Sequence, residues 1–213
     1  DAPPVQLADD EIIMCAGNSY DISLDPSVGT YEWQDGSTSP DYSISSTGQY
    51  SVTLDDGCHL SSDTIDVLVV EPPDPISLGV DTFLCPGGMI TYSLDPAQGE
   101  YVWQDGSNDS VYPIDEAGTY SVTVTNMCGV SSDEVEVIDI IPPIFDIGPD
   151  TTHLCVGQIV DITLEPTMGS FHWQDGNNSP FYVISQAGVY SITVTNGCGM
   201  ETDQMIVDMT APP

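Results

Sequence analysis

The chain has no lysine and no arginine among its 213 residues, against 34 aspartates and glutamates, which gives a formal net charge of −34. A surface of this charge repels nucleic acid phosphates and anionic lipid headgroups, so we exclude nucleic acid as a partner. No stretch approaches the ~20 apolar residues that a transmembrane helix needs, and no charged segment followed by an apolar one opens the chain. We therefore expect no membrane insertion, and a mature chain without targeting segments.

The missing basic residues also bear on catalysis. Without lysine or arginine there is no anion clamp, and the three histidines, His59, His153 and His172, fall at different positions relative to the repeats described below. Paired carboxylates are unavoidable at this acidity and therefore select no site. The chain has no C-x-x-C motif and no matching histidine pairs, which makes a zinc site improbable. We predict no enzyme, no catalytic residues and no required cofactor.

A repeat runs through the whole chain. The phrases "YEWQDGSTS", "YVWQDGSND" and "FHWQDGNNS" place Trp33, Trp103 and Trp173 at a spacing of 70 residues. The dipeptide Pro-Pro stands at 3–4, 72–73, 142–143 and 212–213. The sequence therefore predicts three tandem domains, at 1–71, 72–141 and 142–213. The same spacing relates Gly29, Gly99 and Gly169, the tyrosines Tyr50, Tyr120 and Tyr190, and the aspartates Asp63, Asp133 and Asp203.

Each repeat has the pattern of short strands separated by turn residues, and no helix signal competes with it. The second repeat predicts a broken first strand in "PISLG" and "DTFL", followed by "MITYSL", "EYVWQ", "VYPI", "TYSVTVTN" and "DEVEVIDI". "TYSVTVTN" alternates with period two, as a half-buried strand does. Hydrophobic residues make up 40% of the chain, which argues against disorder despite the charge. We expect an all-β protein.

Six cysteines, two per repeat and 43 positions apart, indicate an oxidising extracellular compartment. A repeat of about 70 residues can form only a small hydrophobic core, so we expect each repeat to need a stabilising disulfide. The simpler interpretation, which we prefer because one pair per repeat requires no special ends, places the bridge inside each repeat. This interpretation pairs Cys15 with Cys58, Cys85 with Cys128, and Cys155 with Cys198.

Strand direction provides a test of that pairing. Cys85 lies between the first and second predicted strands, and Cys128 between the fifth and sixth. If "SNDSVYPI" folds up and back, these two turns lie at opposite ends of the repeat, ~25–30 Å apart and beyond disulfide reach. Head-to-tail stacking would then pair neighbouring repeats, and the two remaining cysteines would be left for adjoining copies. The alternative pairs are Cys15–Cys128 and Cys85–Cys198, with Cys58 and Cys155 left over.

The pattern "LGVDTFLCPGG…YSLDP…YVWQDGS…AGTYSVTVTNMCG…SDEVEV", with its copies "IGPDTTHLCVG" and "AGVYSITVTNGCG", resembles the immunoglobulin-like (PKD-like) repeats of Bacteroidota surface and secreted proteins. Proteins with such repeats are commonly exported by the type IX secretion system and include gliding-motility-associated adhesins. The resemblance implies three tandem immunoglobulin-like β-sandwich domains at the cell surface. The total lack of lysine and arginine departs from ordinary members.

The resemblance also implies O-glycosylation at a motif of Asp, then Ser or Thr, then an aliphatic residue or Thr. Asp81-Thr82-Phe83 departs from the motif in its third position. Asn108-Asp109-Ser110 and Asn177-Asn178-Ser179 are N-glycosylation sequons, which we rank lower for this lineage. The candidate O-glycosylation sites are Thr64, Ser110, Thr151 and Thr82.

The repeated aromatic residues favour structural roles over binding roles. A tryptophan in the third strand of such a sandwich is usually core, and a tyrosine that follows glycine at a strand start usually bonds to backbone. We therefore expect Trp33, Trp103, Trp173, Tyr50, Tyr120 and Tyr190 to belong to the core.

Acidic residues could bind calcium, which prefers carboxylate and carbonyl oxygens. Asp35, Asp105 and Asp175 precede glycine, where a turn role is the better interpretation. No D-x-D-x-D-G loop occurs, and a solvated acidic surface explains most of the charge. The better calcium candidates lie at the joints between repeats: Asp9, Asp10, Glu71, Asp74, Asp146 and Asp150.

Two functions remain. In the first, the chain is a structural extracellular protein, the repeat unit of a filament or adhesin stalk, and its Pro-Pro joints hold an elongated rod that meets other copies or repeats end to end. In the second, exposed sandwich loops bind a glycan or a protein on another surface. The divergent loops "GSTSPD", "GSNDSV" and "GNNSPF" argue against one shared ligand site.

Overall fold

The computed structural model describes residues 4–7 and 10–210, and these contain eighteen β-strands. Their only helical segment is one 3-10 turn, Pro166–Met168. The fold is therefore all-β, as the sequence predicts. The described residues form two compact units: the first contains those up to 78 together with 93–110 and 121–134, and the second contains 79–92, 111–120 and those from 135 to 210.

The first repeat has six strands in two sheets. One sheet has the order β1-β6-β5-β3, in which β1 is parallel to β6, and β2 pairs with β4 in the other. The strands are β1 (Glu11–Cys15), β2 (Tyr20–Ser23), β3 (Thr30–Trp33), β4 (Asp41–Ile44), β5 (Gly48–Asp55) and β6 (Leu60–Val70).

The middle repeat carries the same six strands in the same sequence order. Its larger sheet has the order β7-β12-β11-β9, with β7 parallel to β12 and β9 antiparallel to β11. The strands are β7 (Thr82–Leu84), β8 (Ile90–Ser93), β9 (Glu100–Trp103), β10 (Val111–Ile114), β11 (Gly118–Asn126) and β12 (Gly129–Asp139).

The third repeat again has this arrangement, with the sheets β13-β18-β17-β15 and β14-β16. Its β13 is parallel to β18, and β14 is antiparallel to β16. The strands are β13 (Thr151–Cys155), β14 (Val160–Thr163), β15 (Ser170–Trp173), β16 (Phe181–Ile184), β17 (Gly188–Asn196) and β18 (Gly199–Thr210).

Alternation along the strands builds the core of each repeat. In β17, Ile192 and Val194 are fully buried, while Ser191, Thr193 and Thr195 beside them are only half-buried. This is the period of two by which a strand turns one face to a core. Met205 and Val207 of β18 complete that face, and Trp173 lies among them with no exposed surface. Leu7, Ile22, Tyr31, Trp33, Ile44, Val52, Leu54, Ile65 and Val67 form the matching core of the first repeat.

The segment "PISLG" is not a strand, contrary to the prediction. The backbone N–H of Ile76 donates to the Ser131 hydroxyl at 2.9 Å, and that of Leu78 to the Asp133 carboxylate at 2.7 Å. Side chains of β12 thus take the place of a strand ladder, while Leu78 is buried. The apolar pattern of the segment reports burial correctly, but burial alone does not make a strand.

Strand directions in the first repeat show that its third and fourth strands run the same way. β3 is antiparallel to β5, which is antiparallel to β6, so β3 runs in the direction of β6 and of its parallel partner β1. β2 turns back directly after β1, and β4 is antiparallel to β2. The segment between β3 and β4 therefore returns along the repeat before β4 begins, which is the up-and-back course.

Candidate functional site

Two disulfides link neighbouring repeats. Cys15 is bonded to Cys128, and Cys85 to Cys198, with Cα–Cα distances of 5.3 and 5.4 Å and a sequence separation of 113 in both cases. The preferred prediction of bridges inside each repeat is therefore wrong, and the alternative pairing is observed. The two remaining cysteines, Cys58 and Cys155, are free thiols on the surface.

The up-and-back course explains the correction. Cys15 ends β1 opposite Val70, the last residue of β6, whereas Cys58 comes two positions before that strand begins. The eleven residues of β6 rise ~3.3 Å each, which separates the two cysteines by roughly 35 Å. A disulfide requires Cα atoms within about 7 Å. The two cysteines of one repeat therefore lie at opposite ends of its long strand.

The first cysteine of each repeat opens a tight turn. The backbone carbonyl of Cys15 accepts a hydrogen bond from the N–H of Asn18 at 3.1 Å. Cys85 accepts one from Gly88 at 2.8 Å, and the N–H of Gln158 donates to the carbonyl of the third cysteine at 3.0 Å. The three turns close in the same way, so one backbone conformation presents this sulfur in every repeat.

The second cysteine of each repeat is fixed by the side chain two positions before it. The N–H of Cys128 donates to the amide oxygen of Asn126 at 2.8 Å, and the N–H of Cys198 to that of Asn196 at 2.9 Å. In the first repeat an aspartate takes this role. This bond is local, and its signal in the sequence is Asn or Asp two positions before each second cysteine.

The two asparagines also hold the linker into their own repeat. The amide nitrogen of Asn126 donates to the backbone carbonyls of Glu71 at 2.9 Å and Gln98 at 3.2 Å. Asn196 donates in the same way to Ile141 at 2.7 Å and to Met168 at 3.3 Å. Each asparagine therefore ties the bridged turn to the chain that enters the repeat. Sequence reasoning missed this role, although both residues stand in the shared phrase "TVTN".

Aromatic packing supports the second disulfide. A Cβ placed on Gly197 would overlap the ring of Phe83, so the ring lies directly on the glycine beside Cys198. Phe83 stands two positions before Cys85, at the other end of the same bridge. The contact requires a residue without a side chain at this position, because any Cβ would displace the ring.

The repeated aspartates Asp63, Asp133 and Asp203 clamp the entering segment to the last strand. Their carboxylates accept the backbone N–H of Leu7 at 2.6 Å, of Leu78 at 2.7 Å, and of the corresponding isoleucine in the third repeat at 2.8 Å. Each of the three donors belongs to a buried apolar residue. A charged acceptor for a backbone group beside the core explains why an aspartate recurs at this place.

Replacing Asp203 by alanine should lower the free energy of unfolding of the third repeat by about 1.5–3 kcal/mol, because the N–H of Ile147 loses its charged acceptor at 2.8 Å. Denaturant unfolding of the variant measures this. Glu201→Ala, a change at an exposed position of the same strand, is the control and should stay within ~0.5 kcal/mol of the parent. Equal effects of the two substitutions would contradict the clamp.

The three tryptophans are buried, with exposed fractions of 2% or less. Each indole N–H donates at 2.9 Å to the backbone carbonyl six positions on, in Ser39, Asp109 and Ser179. The loop that follows each third strand is thus tied to the core. No tryptophan face is available for stacking on a sugar.

The repeated tyrosines are half-buried rather than core residues. The hydroxyl of Tyr50 donates to the carbonyl of Ser46 at 2.9 Å, and Tyr120 and Tyr190 bond to the carbonyls of Glu116 at 2.8 Å and the residue four positions upstream at 3.1 Å. The expected bond to backbone is present. The rings themselves lie at the edge of the core.

Turn geometry accounts for the aspartate of each "WQDG" phrase. Asp175 accepts the backbone N–H of Asn177 at 3.0 Å and the hydroxyl of Tyr182 at 2.8 Å. The hydrogen bond from the Asn177 backbone, followed by that from Tyr182, lowers the pKa of the Asp175 carboxyl. Asp35 is held by Ser37 and Tyr42 in the same way, and its pKa is also lowered.

Because hydrogen bonds to the ionised form lower its folded pKa, Asp175 stabilises the fold at pH values above the unfolded aspartate pKa of ~3.9. That contribution is lost as the pH falls through the folded pKa. NMR titration of the carboxyl carbon should give a midpoint below ~3.9. In Tyr182→Phe, which removes one donor, the midpoint should rise, whereas that of Asp35 should not move. A midpoint at or above the ordinary value would contradict this prediction.

The five calcium candidates that the structure describes take part in hydrogen bonds, and calcium binding at the joints stays a prediction. Within residues 4–7 and 10–210, no group of three or more acidic, cysteine or histidine side chains is placed to hold a metal. The Asp74 carboxylate instead accepts the Gln98 amide at 3.0 Å, and Asp146 accepts the N–H of Gly148 at 2.7 Å. Asp10, Glu71 and Asp150 contribute backbone carbonyls to hydrogen bonds, and Asp9 lies outside the described residues.

The glycosylation candidates differ in their accessibility. Thr64 and Thr151 are exposed, on β6 and at the start of β13, whereas Thr82 and Ser110 are half-buried. The sequon asparagines Asn108 and Asn177 are both exposed.

A shallow cleft lies beside the third strand in two repeats. In the middle repeat Glu100, Val102 and Ser110 line it, and Ser170, His172 and Pro180 stand at the matching positions of the third. The site therefore recurs in position but not in chemistry. An acidic lining in one copy and an imidazole in the other would not select the same ligand.

The fold is shared with known multi-domain structures. Immunoglobulin domains 1–4 of Sidekick-1 superpose with a TM-score of 0.50 at 14% identity, covering 97% of this chain and 75% of that one. The chain is a tandem array of immunoglobulin-like β-sandwiches. Extracellular domains 3–5 of Drosophila OTK (TM-score 0.47, 13% identity, 98% and 100% covered) and the N-terminal four Ig domains of Dscam1 isoform 9.44 (0.45, 15%, 94% and 72%) also match.

No protein-family profile and no curated protein matches the sequence. Among the described residues of the array, no helix has the length and apolar character to cross a bilayer.

Proposed function

We propose that this immunoglobulin-like array is a structural extracellular protein, a repeat unit of a cell-surface filament or of an adhesin stalk. The observation that carries the proposal is the pair of disulfides, each of which joins one repeat to the next at matching positions. A covalent link across a joint serves a chain that must transmit tension.

Three further features agree with this role. Disulfides persist in oxidising compartments, which supports an extracellular location. The buried tryptophans and tyrosine-bonded aspartates serve the fold, so the best-matched residues of the repeats are structural. The resemblance to Bacteroidota surface repeats favours export to the cell surface, with other copies or neighbouring immunoglobulin-like repeats as end-to-end partners and with surface glycosylation.

The second candidate is a module that binds a glycan or a protein through its exposed loops, on another cell or surface. The cleft beside β9 and β15 is the observation that favours it. The two linings differ in charge, so such binding would belong to one repeat only. We therefore place it second.

Electron microscopy of the native material tests the proposal. We expect long unbranched filaments, and because a charge of −34 per chain opposes association, their assembly from separate chains should require high salt or divalent cations such as Ca²⁺. Chains whose free thiols, Cys58 and Cys155, are alkylated are imaged at ~1 M salt and in low-salt chelator beside the native material. Native material that shows only isolated particles under every condition would contradict the filament, and alkylated chains that form filaments equally well in low-salt chelator would contradict the electrostatic part.

A further inference from the structure

The two free thiols are complementary members of the bridge that the chain makes twice. Cys155 is a first cysteine of the kind that Cys15 and Cys85 represent, and Cys58 is a second cysteine like Cys128 and Cys198. Both free thiols are exposed. The internal bridges thus leave one sulfur of each kind, the second cysteine in the first repeat and the first cysteine in the third repeat.

We propose that Cys155 of one copy forms a disulfide with Cys58 of the next copy of this chain, so that the array continues end to end. This inference rests on the structural role proposed above and names the partner and the bond. Internal bridges join a first cysteine to the second cysteine of the following repeat, 113 residues further on. If the next copy continues the array with the same 70-residue spacing, the residue that lies 113 positions beyond Cys155 is Cys58 of that next copy.

Both free thiols stand in turns that share a hydrogen bond with the turns of the bridged cysteines. The N–H of Cys58 donates to the Asp56 carboxylate at 2.8 Å, which matches the 2.8 and 2.9 Å bonds of the two bridged second cysteines. At Cys155 the turn is closed by a hydrogen bond from the N–H of Gln158 to the Cys155 carbonyl at 3.0 Å. The corresponding hydrogen bonds of the bridged first cysteines, Cys85 and Cys15, measure 2.8 and 3.1 Å. The turn at Cys155 is therefore already that of a bridged cysteine, whereas the loop at Cys58, in which Asp55 pairs with Leu60 and Gly57 has a positive φ, is wider than the bridged Asn196–Gly199 turn.

The neighbouring side chains have compatible sizes. At the second bridge the Phe83 ring lies on Gly197. The matching residues of the free ends are His153, whose side chain is 69% exposed, and Gly57, where an added Cβ would meet no atom within 4 Å. The imidazole of one copy can therefore lie on the glycine of the next, as the phenyl ring does inside the chain.

Bond formation is a thiol–disulfide exchange with a small disulfide donor such as oxidised glutathione. The thiolate of one cysteine attacks the donor and releases one thiol, and the second cysteine then displaces the other half of the donor. The two protein thiols lose two electrons and two protons. The donor gains both and leaves as two small thiols.

Two single variants test whether Cys155 bonds to Cys58 of another copy rather than to another Cys155. Cys58→Ser retains only Cys155 as a free thiol, and Cys155→Ser retains only Cys58. Each is incubated in a glutathione redox buffer at ~1 M salt, alone and mixed, and is analysed on non-reducing gels. We expect a ladder from the parent chain and, from the mixture, about tenfold or more dimer than from either variant alone. Mass spectrometry of the dimer should show Cys155 linked to Cys58.

Random oxidation would instead give homodimers of each variant as readily as mixed dimers, and that result would overturn the proposal. A parent chain that stays monomeric in the redox buffer, whether its two thiols remain free or become capped by glutathione, would also overturn it. Microscopy of the Cys58→Ser/Cys155→Ser double variant shows whether filaments form when this bond cannot, which separates this inference from the filament itself. If the parent chain forms filaments but gives no covalent ladder, the structural role stands while the disulfide joint fails.

Discussion

Replacing Trp173 by alanine should destabilise the third repeat by about 3–5 kcal/mol. The side chain has no exposed surface, stacks on Tyr182 with ring centroids 4.2 Å apart, and donates its N–H to the carbonyl of Ser179 at 2.9 Å. The substitution opens a cavity and leaves that carbonyl without its donor. Hydrogen exchange of the amides of β17 should accelerate by a factor of roughly 100 to 1,000 or more.

Two controls give this result its meaning. Val189→Ala removes an apolar side chain that is 59% exposed on the same strand, and it should change the stability by less than ~0.5 kcal/mol. Trp173→Phe keeps an aromatic ring but loses the N–H, so its effect should be intermediate. If amide hydrogen exchange in β17 were unchanged in Trp173→Ala, the tryptophan would not be a core residue. A ligand-binding role for it would then be the better interpretation.

Stretching the oxidised chain should extend it to only about a third of the length that the reduced chain reaches. The two bridges overlap in sequence, since Cys85 lies inside the loop closed by Cys15 and Cys128. Tension therefore passes across the first bridge, back along the chain to Cys85, and across the second bridge. Roughly 70 residues carry it, which gives ~250 Å at full extension, against ~750 Å when all residues can extend.

Single-molecule force spectroscopy with and without a reducing agent measures the difference. Cys58→Ser/Cys155→Ser, which keeps both internal bridges, is the matched control and should behave as the oxidised parent. An oxidised chain that reaches the reduced length would show that the bridges do not bear tension. The overlap explains how such a chain can resist extension even after its sandwiches unfold.

The repeat, the strand pattern and the buried tryptophans could be predicted because each depends on local sequence. Period-two alternation marks a strand by itself, and three copies of "WQDG" mark the same turn three times. Gly99 is a further example, since a Cβ there would overlap the carbonyl of Thr125 and only glycine fits. These local patterns each have one physical explanation, and the all-β fold predicted from them was confirmed.

The disulfide pairing could not be predicted in this way, because it depends on how strands are directed in space. The segment between β3 and β4 has no strand of its own, so its return along the repeat leaves no periodic signal. The argument from strand direction correctly identified that segment as the one that decides the disulfide pairing. The wrong pairing was preferred because one bridge per repeat is the simpler arrangement. The roles of Asn126 and Asp133 were missed for the same reason, because their partners, Glu71 and Leu78, lie 55 residues away.

The most direct test of the account is a map of the disulfides in the native chain. Trypsin has no site without lysine or arginine, so the unreduced protein is cleaved at aspartate and glutamate after its free thiols are alkylated. We expect cross-linked peptides that join Cys15 to Cys128 and Cys85 to Cys198. Peptides that join Cys15 to Cys58 and Cys85 to Cys128 would show that each repeat is closed on itself, and the covalently linked array would then be wrong.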